Sequence, residues 1–243
     1  MLFKYRSRIY DRYVDAATSP VAPDTLAGLD TRRASLMRLI RRHFPPQHDA
    51  AILELGCGHG ALLHFAQQAG YTNATGVDRS PAQVDAARRL GIKNVRAGEM
   101  LPTLYAVAPA SLDAVISYDV IEHLTKDELI DVTDEVVRVL KPGGRWIIHA
   151  PNGLSPFCGV MAYGDLTHEQ AFTPESLTQL FLSSGLKSAV FDEDPPAAYG
   201  LTSTVRACLW RAIRCVYRFL LLAETGIASH RVFTINLIAV ATK

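Results

Sequence analysis

No run of the chain is apolar enough to be read as a membrane span or a secretion signal. Arginines break up the most hydrophobic segment, near residues 203–224, and the amino-terminal "MLFKYRSRIYDRYVDAA" has no apolar core. Cysteine is scarce as well. Cys57, Cys158, Cys208 and Cys215 form no C-x-x-C pair and lack zinc spacing, which argues against a zinc ribbon and for free thiols in a reducing cytoplasm. An excess of either charge is missing too: 25 Lys and Arg against 24 Asp and Glu leave a formal net charge of +1, so no global field draws nucleic acid. Internal repeats and low-complexity tracts are absent from the sequence. What remains is a 243-residue chain, large enough for one full core with additions.

That chain alternates in character. Asp30 or Thr31 is placed to cap a helix over "RRASLMRLIRRHF", which Pro45 and Pro46 stop. Before it, Tyr5, Tyr10 and Tyr13 fall on a short helix. "AAILEL" reads as a buried strand, "GALLHFAQQAG" as a helix, and "NATGVD" as a strand ending in an acid. Ser80 and Pro81 take the N-cap and N1 positions of the next helix. "KNVRAG" and "LDAVIS" are further strands, and Thr125 to Glu128 is a capping box opening a helix through Leu140. "GGRWIIHAP", "KSAVF" and "RVFTINLIAVATK" complete the strands, with a helix from Thr173 and Pro174 to Gly185 among them. Strands alternating with helices at this spacing predict an α/β fold with a doubly wound, mostly parallel seven-stranded sheet. The expected organisation is an N-terminal helical cap over residues 1–45 and one domain over 46–243, with a helical insertion at 203–224 before the last strand.

Glycine is concentrated where the first strand should hand over to a helix, at Gly56, Gly58 and Gly60 of "AILELGCGHGALL". A turn of this kind lets a ligand lie against bare backbone at a helix N-terminus. Gly56-x-Gly58-x-x-Ala61 satisfies a permissive dinucleotide pattern, with Asp78 standing 20 residues beyond Gly58, where a ribose-binding acid belongs. An NAD(P)-dependent oxidoreductase is therefore one reading, although no Tyr-x-x-x-Lys pair accompanies it. The other starts from Glu54, an acid on the strand before the turn, which repels a pyrophosphate but attracts an ammonium group.

With Glu54, "ILELGCGHG" resembles the first motif of the class I S-adenosylmethionine-dependent methyltransferases. The resemblance continues in order through "GVDRS", "AGEM", "SYDVIEHL" and "LKPGGRWIIHAPN", over residues 50–152. It implies S-adenosylmethionine as cofactor and S-adenosylhomocysteine as product. Glu54 would meet the ammonium, and the backbone of Gly56, Cys57, Gly58 and Gly60 the carboxylate. Asp78 would take the ribose diol, with Arg79 beside the adenine. Gly98 and Glu99 would lie at the adenine amino group, and Tyr118 would complete the pocket. A Rossmann-like fold goes with it.

Two clusters carry candidate acceptor chemistry. One is Glu122-His123 in "DVIEHL"; the other is the loop "YGDLTHEQAFT", where Asp165, His168 and Glu169 fall within five residues of one another at a sheet edge that hosts ligands. A hydroxyl acceptor needs its proton removed by a base or a metal. "DVIEHL", "HAPNG" and "DLTHEQAFTPESL" together are similar to methyltransferases associated with bacterial surface polysaccharides. That similarity implies O-methylation of a glycan such as an O-antigen or capsular chain. His168 is then the first choice of base and His123 the second; Asp165 and Glu169 either orient His168 or bind sugar hydroxyls, with Tyr163, Glu169 and Asn152 expected at the acceptor. Glu122, His123 and Asp165 are close enough in pattern to bridge a metal, but the spacing does not require one and no metal ligand is assigned. An O-methyltransferase of a quinone, polyketide or other aromatic, and a non-catalytic cofactor-binding protein, are the alternatives.

The insertion "STVRACLWRAIRCVYRFLLLAE" puts Arg206, Arg211, Arg214 and Arg218 within an arc of about 140° at 100° per residue. Leu209, Trp210, Phe219 and Leu220 lie elsewhere on it. Either the helix rests in a membrane interface at the inner face of the membrane, or its apolar side packs on the domain or on a second subunit. In the packed case Cys208 and Cys215, seven apart, are buried. The expected partners are thus a glycan or small-molecule acceptor, a peripheral membrane contact or a homodimer, and no nucleic acid.

Overall fold

Strand β1 (Ile52–Leu55) is buried along its whole length, and its side chains alternate between two cores. Leu53 and Leu55 join Val115, Trp146, Ile148, Leu177 and Phe181 on one face. Ile52 joins Leu36, Ile40, Phe65, Ile116 and Ile147 on the other. Helices cover both faces, so the central strands are mostly apolar and buried, as a parallel sheet requires. The computed structural model describes residues 5, 8, 9, 22–196, 200–227 and 231–243. Tyr10 and Tyr13 lie outside them.

The remaining strands are β2 (Ala74–Asp78), β3 (Val95–Ala97), β4 (Leu112–Tyr118), β5 (Leu140–Pro151), β6 (Ser188–Glu193) and β7 (Asn236–Thr242). Their order is β3-β2-β1-β4-β5-β7-β6. Only β7 runs antiparallel to its neighbours, β5 and β6. β1 pairs in parallel with both β2 and β4, so the strand order reverses at β1 and opens a crevice beyond the carboxyl ends of β1 and β4.

Helices α1 (Asp30–His43), α2 (Ala61–Gln68), α3 (Pro81–Arg89), α4 (Met100–Tyr105), α5 (Lys126–Val139), α6 (Cys158–Ala162), α7 (Pro174–Ser183) and α8 (Leu201–Thr225) fill the connections. Ser80 caps α3 by accepting from the Gln83 N–H at 3.4 Å. Thr125 and Glu128 form the capping box of α5. Asp30 does not cap α1; it is the first helical residue, Leu29 holds the cap position, and Asp30 pairs instead with Arg33 at 2.9 Å. β7 begins at Asn236, five residues later than the apolar run suggests.

Helix α8 lies against the body along one stripe only. Ser203, Ala207, Trp210, Arg214, Tyr217 and Leu221 are half-buried, and the rest of the helix is exposed. Trp210 meets Phe157 at 6.1 Å between ring centroids, Tyr217 meets Phe233 edge-on at 5.5 Å, and Arg214 pairs with Glu193. Cys208 and Cys215 are exposed, contrary to the packed reading, because the packing stripe runs through the tryptophan, tyrosine and arginine positions. Among the described residues no helix is long and apolar enough to cross a membrane.

Asn152, expected at the acceptor, is fully buried at the end of β5 and does not line the cleft. Its amide Nδ2 donates to the carbonyls of Val232 at 3.0 Å and Thr234 at 2.9 Å, and its Oδ1 accepts from the Leu154 N–H. Next to it the Gly153 N–H donates to the Phe172 carbonyl at 2.7 Å and the Phe172 N–H to the Pro151 carbonyl at 2.9 Å, which fastens the 153–172 loop to the sheet. The side chain is a structural clamp. Asn152→Ala leaves two buried carbonyls without donors and should lower stability by about 2–4 kcal/mol in urea unfolding; an unchanged midpoint would mean that the loop is anchored some other way.

Candidate active site

The crevice above β1 and β4 is a cleft of about 1300 Å³. Roughly 300–1000 Å³ is usual for one small ligand, so there is room for two molecules side by side. One end is built on the β1–α2 turn. Gly56 and Gly58 both have positive φ, +69° and +53°, which an L side chain resists. A Cβ on Gly56 would meet Val120 Cγ2 at 2.5 Å, whereas one on Gly58 would meet nothing within 4 Å. Gly56 is therefore demanded by packing, and Gly58 has free space beside its Cα. The N–H groups expected to meet a carboxylate are already engaged, those of Gly56 and Cys57 with the Val77 carbonyl at 2.8 and 3.0 Å, that of Gly58 with Asp78 and that of Gly60 with the Cys57 carbonyl at 2.9 Å. Cys57 turns its thiol inward, 2.7 Å from where a Cβ on Gly76 would stand, so only its backbone faces the ligand side.

Asp78 ties this turn to β2. One carboxylate oxygen accepts from the Gly58 N–H at 2.8 Å and the other from the Ser80 N–H at 2.8 Å. Burial raises its pKa above the ordinary carboxylate value, with those two donors pulling the other way. Arg79 and Glu99 face each other at 3.8 Å at the exposed mouth, and Gly98 lies beneath them along the wall. Tyr118 stacks on His149 at 4.1 Å and 10°, with the Arg32 guanidinium 5.3 Å from its ring centre. Arg32 and His59 also line this end and carried no sequence motif. Arg32 arrives from α1, which folds over the cleft, and the "TRR" at the start of that helix is its only signal.

Glu54 is 3% exposed, and its Oε2 has no hydrogen-bond partner. Burial pushes its carboxyl up to about 8, with Arg32 pulling down and Asp78 adding to the rise. A buried carboxyl with an unpartnered oxygen, beside a glycine turn free of side chains and a buried diol acceptor, suits a ligand with an ammonium and a ribose. The residues thus fit the cofactor that the sequence resemblance implies.

The other end lies at the 3-10 turn Ile121–His123, just after β4. Asp119 holds the left-handed backbone there, φ +55°, and its carboxylate meets His149 Nδ1 at 2.6 Å. Burial disfavours a charged His149, but Asp119 and the neighbouring Tyr118 and Asp194 outweigh it and raise the pKa well above the ordinary imidazole value. The 165–170 loop is laced to this turn: the Glu169 N–H donates to the Glu122 carbonyl at 2.8 Å, and Gln170 Nε2 to the Leu124 carbonyl at 3.3 Å. This brings His168 against His123, ring centroids 4.6 Å apart and edge to face.

Glu122 is 1% exposed with Oε2 unpartnered, and burial, together with Asp119, raises its pKa well above the usual range. Burial and the proximity of His168 push His123 down to about 4, so it is neutral. Glu122, His123, Asp165 and His168 all line the cleft. Tyr163 is 89% exposed between lining residues Met161 and Gly164, and Glu169 is exposed and accepts from the Tyr5 hydroxyl.

Residues 52–144 match the family model described as a methyltransferase domain. Over 121 residues, 49% of this chain and 38% of the relative, the sequence is 28% identical to a ribosomal protein L11 methyltransferase of Symbiobacterium thermophilum. Over 139 residues, 56% of this chain and 51% of the relative, it is 29% identical to a "probable S-adenosylmethionine-dependent methyltransferase" of Mycolicibacterium smegmatis. This chain therefore spans about half or less of the length of the curated relatives it matches. Among solved structures, a SAM-dependent methyltransferase from Archaeoglobus fulgidus superposes with a TM-score of 0.67, at 21% identity over 88% of this chain and 94% of that one.

Glu54 gives this end of the cleft a pH signature. Its folded pKa, about 8, lies above its ordinary 4.5, so its contribution to folding is full below 4.5 and is lost as pH rises through 8. At pH 7 the free protein holds this carboxyl protonated, whereas an ammonium ligand calls for the ionised form. Binding of S-adenosylmethionine at pH 7 should release close to one proton, read by calorimetry in buffers of different ionisation enthalpy, and affinity should rise from pH 6 to 8. Glu54→Gln should abolish the release and weaken binding at least about tenfold. Binding without proton release would remove Glu54 from the ammonium site.

Proposed function

We propose, on the premise that residues 52–144 form a class I S-adenosylmethionine-dependent methyltransferase domain, that this chain methylates a sugar hydroxyl of a bacterial surface glycan. The observation that carries the reading is the acceptor end of the cleft. Two imidazoles, that of His123 neutral, and a buried carboxyl face the space beside the cofactor residues, an arrangement that suits an acceptor with a proton to lose. An amine or carbon acceptor asks for less.

The bound cofactor supplies an electrophilic methyl on a sulfonium. The chain's own residues hold the hydroxyl in line with it and exclude water. His168 donates its Nδ1–H to the Met161 carbonyl at 2.8 Å, which leaves its lone pair on Nε2. In this reading the acceptor proton passes to that nitrogen as the O–C bond forms and the C–S bond breaks, with the electron pair staying on sulfur. His123 stands behind it. Asp165 acts as a positioning residue: its Oδ1 accepts from the Thr167 hydroxyl at 2.7 Å, and Thr167 Oγ1 in turn meets His123 Nδ1 at 2.8 Å. Exposed Tyr163 and Glu169 at the loop surface support recognition of a hydroxylated, polar acceptor.

His168→Ala should cut turnover by about two to four decades while leaving S-adenosylmethionine affinity intact. The acceptor is read by transfer of labelled methyl to panels of surface oligosaccharides and of quinones and polyphenols. Label on the aromatic panel alone would overturn the glycan reading, and full activity of the variant would remove His168 from the chemistry.

The outward face of α8 supports a place for this reaction. Leu201, Val205, Leu209, Val216, Phe219 and Leu220 are each at least 50% exposed. They point away from the packing stripe, with Arg206 on one flank and Arg211 and Arg218 on the other by helical angle. We assign this face to an anionic membrane surface, where growing glycans are carried on lipid. The chain should sediment with vesicles containing anionic lipid, and Leu209→Glu with Phe219→Glu should leave it in the supernatant. A wild-type chain that never sediments, or one that instead forms a dimer broken by the same substitutions, would overturn the assignment.

A further inference from the structure

We propose that Glu122, His123 and His168 form a binding site for a divalent transition-metal ion at the acceptor end of the cleft, with an open position for the acceptor hydroxyl. One oxygen of Glu122 and one ring nitrogen of each histidine lie within 4.8 Å of one another. Donor atoms around an ion with bonds of about 2.1 Å stand roughly 3–3.5 Å apart, so closure asks for shifts of about an ångström.

Three observations point to a cation. First, Glu122 Oε2 is buried without a hydrogen-bond partner among the described residues, a cost that a bound cation removes. Second, both histidines have their tautomers fixed from behind. The proton of the Thr167 hydroxyl is spent on Asp165, so Thr167 Oγ1 accepts from His123 Nδ1–H, and the His123 lone pair is on Nε2. The bond from His168 Nδ1–H to the Met161 carbonyl places its lone pair on Nε2 as well. A carboxylate or carbonyl behind each ligating imidazole is the usual outer shell of a metal site. Third, two imidazoles and one carboxylate form a ligand set for Zn²⁺, Mn²⁺, Fe²⁺ or Co²⁺ rather than Ca²⁺, whose sites are built from oxygen alone. All three residues line the cleft, so the open positions face the acceptor.

This site rests on the methyl-transfer reading only for its role. An ion held there would lower the pKa of an acceptor hydroxyl; the proton would leave for solvent as the acceptor binds, and the oxygen would take the methyl as the C–S bond breaks with its electron pair on sulfur. His168 is then a ligand, and the ion replaces it as the activating group.

The test uses the full chain stripped with chelator and titrated with Mn²⁺ under electron paramagnetic resonance and with Co²⁺ under visible absorption. One equivalent should bind, with the d–d bands of a low-coordinate nitrogen-containing site. Glu122→Gln and His168→Ala should each weaken binding at least tenfold. Thr167→Val, which frees the His123 tautomer without touching the ion, should weaken it less and shift the bands. Thermal melts and S-adenosylmethionine affinity serve as folding controls. No binding to millimolar Mn²⁺ and Co²⁺, or binding unmoved by Glu122→Gln and His168→Ala, would overturn the site. Full methyl transfer by stripped protein would overturn its role and leave His168 as the base. A metal bound as expected while no hydroxyl acceptor is methylated would support the site and sink the hydroxyl reading separately.

Discussion

Two carboxyl groups are buried where the strand order reverses, each with an oxygen that no described residue satisfies: Glu54 on β1 and Glu122 after β4. A buried, unpaired carboxylate costs several kcal/mol, and proteins meet that cost by protonating the group or by bringing a cation to it. Both groups sit with raised pKa values, burial being the largest cause. The free protein therefore disfavours charge on both carboxyls, and either ligand that restores a negative carboxylate must bring positive charge. The turn glycines, the Asp78 clamp and the laced 165–170 loop are arranged around these two positions.

The first of these was readable in the sequence and the second only in part. β1, the glycine turn and Asp78 are contiguous in sequence or joined by one strand spacing, so residue type together with the motif resemblance placed Glu54, Gly56, Gly58 and Asp78 at one site. Capping chemistry read equally well at Ser80, Thr125 and Thr173, because a cap is local. The acceptor end joins residues more than 40 positions apart, and backbone bonds hold them, the Glu169 N–H on the Glu122 carbonyl first among them. No side-chain pattern announces such bonds. Asn152 was misplaced for the same reason, since its partners, the Val232 and Thr234 carbonyls, come from a segment some 80 residues later. Arg32 was missed because only tertiary packing brings α1 over the cleft.

Helix α8 shows the opposite failure. Its periodicity was correct, but which side faces the body was not decided by hydrophobicity. The packed stripe holds Arg214 between Trp210 and Tyr217, and the guanidinium meets Glu193 on β6. An ion pair and two aromatic contacts determine the orientation, and the more apolar side is turned outward. A helix oriented by its apolar side alone would be rotated by about half a turn.

The role proposed for Asp165 depends on counting protons. A threonine hydroxyl has one hydrogen, and a carboxylate 2.7 Å away claims it, so the same oxygen has only acceptor capacity left for His123. The carboxylate thereby orients an imidazole through an intervening hydroxyl, and it does so without making that imidazole a cation, since burial and His168 hold His123 down to about 4. Were Asp165 to bond His123 Nδ1 directly through an ion pair, the ring would be drawn toward the charged form and lose the lone pair that either a base or a ligand needs. Inserting a neutral hydroxyl between them keeps the orientation and discards most of the charge. That separation of geometry from charge lets two histidines stand edge to face beside a buried acid, all three able to act on whatever the cleft brings to them.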